Sequence, residues 1–169
     1  MNVYDAVKNR RSVRAYKKET VPGDVLARIL ETARLSPSGS NSQSRKFVVV
    51  TEKALREKLA QAANQNFIAQ APVIIAAVGT NPQKTMSCGI PADPVNVAIA
   101  IDHMTLAAVE EGLGTCWIGA FSQEKVCEIL EIPSSCKVIE LLTLGYPADT
   151  PREKNRKSIE EIICYEKFS

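Results

Sequence analysis

Three arginines and a serine crowd into five consecutive positions, Arg10, Arg11, Ser12, Val13 and Arg14. In an extended segment side chains alternate, so Arg10, Ser12 and Arg14 point to one side while Arg11 and Val13 point to the other. Two guanidinium forks and a hydroxyl then converge. That set suits a phosphate monoester, because arginine donates in a planar, bidentate fashion and serine adds one more short hydrogen bond. A second reading stays open at this point: Arg10 closes a first helix, and the cluster serves the carbonyl end of that helix and water.

Three further segments carry candidate binding groups. Pro37-Ser38-Gly39-Ser40-Asn41-Ser42-Gln43 is a loop of hydroxyls, amides and one glycine, where backbone and side chains can approach a polar planar ligand closely. Gly119 and Ala120 follow the strand-like TCWI and let a ring lie against the backbone, with an exposed N–H as donor. Lys154, Arg156 and Lys157 form a second basic cluster after the last strand-like run; alone it reads as a solvated tail.

Other chemistry is sparse. No GxxxxGK(S/T) loop and no GxGxxG between a strand and a helix occur, which argues against phosphate-loop and dinucleotide folds. His103, the only histidine, falls among Ile101, Met104 and Leu106 in a helical run and reads as a satisfied buried or interface histidine rather than a base. A Cys116 nucleophile paired with His103 is disfavoured, since no helix N-terminus or flanking cation lowers the thiol pKa. The five cysteines are odd in number, widely spaced and without a CxxC pair, which argues against a disulfide framework and a metal site. Most are expected to be buried as small hydrophobes. A demanding reaction therefore falls to a cofactor.

These residues need a scaffold, and 169 residues, 45% of them hydrophobic and 24% charged, suffice for one domain spanning residues 1–169. The formal net charge of +2 gives no overall field for nucleic acid or an anionic membrane. No apolar run reaches membrane-span length, and MNVYDAVKNRR lacks a signal-peptide core, so the expected location is the cytoplasm. Asn2 is placed to cap a helix to about Lys8, and Pro22-Gly23-Asp24 opens a second, with Leu26, Ile29, Leu30 and Ala33 on one face and Pro37 at its end. KFVVVTE and PVIIAAVGT read as strands separated by a helix over roughly 52–63. After a loop over 81–92, the longest helix begins near Asp93. Its apolar positions from Val95 to Val109 cover nearly the whole circumference, predicting burial on most sides. TCWIGAF is a third strand, Ser122 caps a helix to about Leu130, and KVIELLTLGYP is a fourth strand. Ser158 and Glu161 are spaced as a capping box. The irregular alternation predicts an α+β fold.

In this order the motifs resemble the nitroreductase family over essentially the whole chain: R-R-S-V-R, P-S-x-x-N-x-Q, Ala71-Pro72 opening a strand, G-L-G-T-C-W-I-G after the long helix, L-G-Y-P and a late basic cluster. The resemblance implies an α+β sandwich, a mixed and mainly antiparallel sheet flanked by helices, built as an intertwined homodimer with flavin mononucleotide (FMN) at the interface. It implies that Arg10, Ser12 and Arg14 hold phosphate and ribityl groups, that Arg11 contributes through its backbone, and that Arg156 with Lys154 closes the phosphate from the C-terminal side. Pro37, Ser38, Gly39 and Asn41 would reach the flavin from the partner subunit, and the backbone at Gly119 and Ala120 would address the ring near N5. The pyrimidine end would find its polar contact among Asn64, Gln65 and Asn66. The implied reaction is ping-pong hydride transfer from NADH or NADPH through flavin N5 to a small acceptor such as a nitroaromatic or quinone. A flavin-binding sensor or store is the alternative. One departure stands out: Ser44-Arg45 occupies the place where the family often carries Pro-Trp.

Overall fold

The structure is a computed structural model that describes residues 1–150 and 153–168. Among the described residues nine α-helices and β-strands build the frame: α1 (Val3–Asn9), α2 (Gly23–Leu35), β1 (Arg45–Val50), α3 (Lys53–Ala62), β2 (Val73–Gly79), α4 (Ala92–Glu110), β3 (Gly114–Ile118), α5 (Gln123–Ile129) and β4 (Lys137–Gly145). Local chemistry sets several of the ends. Asn2 Oδ1 accepts from Asp5 N at 2.9 Å and Ser122 Oγ from Lys125 N at 3.4 Å, each satisfying a first-turn donor that the helix itself leaves open.

The strands form one sheet in the order β1-β2-β4-β3, and every neighbouring pair is antiparallel. Among the described residues parallel pairing is confined to a single bridge between Ser12 and Thr115. All seven residues of β2 are buried, as a continuous apolar run in a central strand predicts. One sheet face, with Ile74, Ala76 and Leu141, packs with Leu59 of α3 and Val126 of α5. The other, with Ile75, Leu142 and Leu144, packs with Ile29 of α2 and Val97, Ile101 and Met104 of α4. Helices on both faces of an antiparallel sheet make the expected α+β sandwich.

Three expectations are corrected. Helix α4 is buried along one side only: Val95, Asp102, His103 and Glu110 are exposed, and Ile99 and Leu106 are half-buried. Composition shows how apolar a helix is; how many neighbours it has is a tertiary matter. Only Cys116 of the five cysteines is buried; Cys88 and Cys164 are exposed and Cys127 and Cys136 intermediate. The Ser158–Glu161 pair makes one half of a capping box, with Ser158 N donating to Glu161 Oε2 at 2.9 Å, but it closes a turn, and no helix follows.

Candidate functional site

The arginine segment leaves α1 and runs beside the edge of the sheet. Val13 N donates to Thr115 O, Lys17 N to Tyr146 O and Ala148 N to Ala15 O, each at 2.9 Å, so residues 13–17 are laced both to β3 and to the chain leaving β4. Two side chains lock this course. Val13 is buried against Gly114, where an added Cβ would collide with Val13 Cγ2, so only glycine allows the approach. Tyr16 is buried; its hydroxyl donates to Val13 O at 2.8 Å and lies 2.7 Å from Thr143 Oγ1. Burial pushes its phenol well above the usual range.

With Val13 turned inward, the alternation turns Arg10, Ser12 and Arg14 outward into a cavity of about 750 Å³. Asp149, Thr150 and the segment 153–156 line its other side. Residues from both ends of the polypeptide thus share one concavity. Among the described residues five cations, Arg10, Arg11, Arg14, Lys154 and Arg156, face it against two carboxylates, Asp149 and Glu153. Desolvation, together with the nearby charges of Arg11, Arg10 and Arg156, holds the Lys154 ammonium below its ordinary value.

The two readings of the arginine cluster divide between its members. Arg11 Nη1 donates to Lys8 O at 2.7 Å and to Arg10 O at 3.2 Å, and Lys154 Nζ donates to Val7 O at 2.6 Å and Lys8 O at 2.8 Å. These two cations serve the carbonyl end of α1. Among the described residues the guanidinium groups of Arg10 and Arg14 have no hydrogen-bond or ion-pair partner, and Arg156 donates only to Asn155 O, at 2.9 Å. Cations brought together and left unpaired are the donors that a candidate anion site requires.

The remaining candidates lie elsewhere. Gly119 and Ala120 are exposed just beyond β3, and the space where a Gly119 side chain would stand is open. Gln65 Nε2 donates to Ala120 O at 3.3 Å, which puts one of the three polar candidates of residues 64–66 at this strand end. Strand rise is about 3.3 Å per residue, so Gly119 stands about 13 Å along β3 from Thr115, the partner of Ser12. Pro37, Ser38, Gly39 and Asn41 form a mostly exposed loop over the N-terminal part of α4, outside the cavity of the same chain. His103 is exposed, with Nδ1 2.8 Å from Ile99 O, and Cys116 is 2% exposed with its thiol pushed up by burial, so they form no nucleophile–base pair.

Asp149, Thr150, Glu153 and Asn155 were not evident from residue types. Their signal is the Leu-Gly-Tyr-Pro turn, which returns the chain to the arginine segment at the Tyr16–Pro147 bridge. Nothing in the residue types marks Glu140 either. It sits half-buried on β4, where desolvation pushes its carboxyl up to about 7 despite a backbone hydrogen bond at Ile118. The departure at Ser44-Arg45 also has a structural account. Ser44 Oγ donates to Asp93 Oδ1 at 2.6 Å, and Asn81 N donates to Asp93 Oδ2 at 2.7 Å. A Cβ on Gly79 would stand 2.6 Å from that same Oδ2, so glycine admits the carboxylate.

An antiparallel sheet between two helical layers, with a cationic cavity at its edge, defines the class as α+β with a candidate anion site. The family model described as the nitroreductase family matches residues 7–69 and 60–146, and the chain belongs to that family. It is similar to a nitroreductase family protein of Clostridium difficile 630, with a TM-score of 0.90 and 31% identity, covering 99% of this chain and 100% of the other. An FMN-dependent nitroreductase of Clostridium difficile R20291 superposes with a TM-score of 0.85 at 26% identity, covering 96% of this chain and 98% of that one. By sequence the chain is 29% identical to an FMN reductase (NAD(P)H) of Bacillus subtilis over 188 residues, spanning 98% of this chain and 74% of the relative.

Proposed function

We propose that the cavity of Arg10, Ser12 and Arg14 holds the phosphate of FMN, with Arg156 closing it from the C-terminal side and Lys154 adding its charge nearby while its ammonium holds the end of α1. Family membership and similarity to proteins named as FMN- and NAD(P)H-dependent reductases make this chain an FMN-dependent NAD(P)H oxidoreductase. The observation that carries the site is the pair of unpartnered guanidinium groups at Arg10 and Arg14, in a cavity where cations outnumber carboxylates. A doubly ionised phosphate ester relieves that crowding and accepts the forked donors.

FMN held there would supply the hydride chemistry between NADH or NADPH and an oxidised acceptor such as a nitroaromatic or a quinone, the two reactants using the site in turn. The chain itself binds and orients. Arg10 and Arg14 grip the phosphate remotely and so fix where the rest of the ligand lies. Ser12 adds a hydroxyl, and Arg11 holds the end of α1 against the segment, leaving its backbone toward the ligand. The exposed backbone at Gly119 and Ala120 would let the flavin ring lie against it and would offer that ring N–H donors. Pro37, Ser38, Gly39 and Asn41 act on the ligand of the partner subunit in a homodimer, which accounts for their distance from the cavity of their own chain.

The direct test is optical. Purified protein loaded with FMN should bleach with NADH or NADPH under anaerobic conditions and recover its colour repeatedly on addition of a quinone or nitroaromatic. Failure to bleach with either donor overturns the reading.

A further inference from the structure

The loop over residues 37–43 is held by side chains to which the proposed function gives no part. Asn96, 3% exposed on α4, spans it: Oδ1 accepts from Gly39 N at 2.9 Å, and Nδ2 donates to Ser42 Oγ at 3.2 Å. Arg45, the first residue of β1, spreads its guanidinium over four backbone carbonyls. Nη1 donates to Pro37 O at 3.0 Å and Asn96 O at 3.1 Å, and Nη2 to Ala33 O at 3.2 Å and Ser36 O at 2.5 Å. One planar fork therefore joins the end of α2, the start of the loop and α4, a task that arginine geometry allows and lysine geometry does not. Ser38 Oγ closes the loop by accepting from Gln43 N at 3.0 Å.

Within these anchors the backbone takes an unfavourable course. Ser40, Asn41 and Gln43 have φ of 53°, 50° and 50°, the left-handed region that non-glycine residues occupy when their surroundings hold them there. A loop without anchors would relax out of it and would have to be re-formed at each binding event.

We infer that Asn96 and Arg45 are positioning residues, which keep the loop of Pro37, Ser38, Gly39 and Asn41 in its ligand-facing shape before FMN arrives. This rests on the reading of that loop as part of the FMN site. Neither residue touches the ligand; they act through the backbone of the loop, and Arg45 does so at the position where the family often carries tryptophan.

The test compares wild type, Asn96→Ala, Asn96→Asp and Arg45→Lys by FMN titration and by hydrogen exchange at Gly39 N–H in the flavin-free protein. Asn96→Ala removes the acceptor of Gly39 N and should weaken FMN binding about ten-fold, while exchange at Gly39 quickens by a similar factor. Asn96→Asp keeps an oxygen for Gly39 N and offers another to the Ser42 hydroxyl, so it should restore both readouts to near wild type. Arg45→Lys should behave as Asn96→Ala in a milder form, and it supplies the answer if Asn96→Ala does not fold. Unchanged FMN affinity in Asn96→Ala and Arg45→Lys, with wild type binding normally, overturns the inference. Faster exchange at Gly39 with unchanged affinity overturns the link to the ligand. A wild type that does not bind FMN overturns the parent reading, and the inference with it.

Discussion

Arg11 and Lys154, 143 positions apart in sequence, donate to the same carbonyl oxygen, that of Lys8, at 2.7 and 2.8 Å. The basic cluster thus has two duties. Arg11 and Lys154 are spent on the carbonyl end of α1, and Arg10 and Arg14, which have no hydrogen-bond or ion-pair partner among the described residues, are the groups proposed to hold the ligand.

The two duties separate by mutation. Arg10→Ala should weaken FMN retention in equilibrium dialysis by about 1.5 to 3 kcal/mol, the worth of a charge-assisted hydrogen bond. Arg11→Ala should retain FMN better but lower stability in urea by about 0.3 to 1 kcal/mol, the scale of a cation at a helix C-terminus. Equal effects of the two variants on FMN retention would contradict the division.

Gly114 and Val13 form a steric pair. Gly114→Ala should destabilise the fold by about 1 to 3 kcal/mol, the usual cost of overpacking, and Val13→Ala should recover part of the loss by removing the colliding methyl groups. Additive losses in chemical denaturation of the double variant would show that the two residues do not press on each other.

Tyr16→Phe keeps the ring and removes the hydroxyl that serves Val13 O and Thr143 Oγ1. Leaving these buried groups short of a partner should cost about 1 to 3 kcal/mol in a urea melt. FMN affinity should fall as well, because residues 10–14 lose an anchor; a variant as stable as wild type would refute this role.

Glu140 gives the pH dependence a sign. Its carboxyl, ordinarily near 4.5, is raised by desolvation to about 7 in the folded chain, so the folded state holds its proton more tightly than the unfolded state. This contribution to stability is full below pH 4.5 and is lost as pH rises through about 7. In thermal melts over this window, wild type should lose stability relative to Glu140→Gln as pH increases. Parallel curves would remove the residue from this role.

A homodimer is expected in sedimentation of flavin-loaded protein, because residues 37–41 lie outside the cavity of their own chain. Monomers that retain FMN would show that one chain completes the site.

Much of this arrangement was legible because it is local. Alternation placed Arg10, Ser12 and Arg14 together, Asn2 and Ser122 marked helix starts, and the apolar run of β2 marked a central strand. The missed features depend on distant pairings. The burial of Glu140 follows from its place in a sheet whose register shifts at a bulge between Ala77 and Val78, and no spacing of residue types encodes that. Arg45 shows in the sequence only as a departure from a motif, since its four carbonyl partners come from three segments that meet only in the folded chain. The exposed side of α4 has the same origin: apolar composition indicates a buried helix, while its outward positions, such as Val95 and His103, are exposed.

The pairing of Ala148 with Ala15, followed by the return of Lys154 to Val7 and Lys8, has a bearing on biosynthesis. A nascent polypeptide emerging from the ribosome carries its arginines first but has no opposing wall until residues 154–156 have cleared the exit tunnel. On the proposed phosphate site, FMN loading waits for this segment to emerge, and truncation upstream of Lys154 should yield colourless protein even where the sheet has formed.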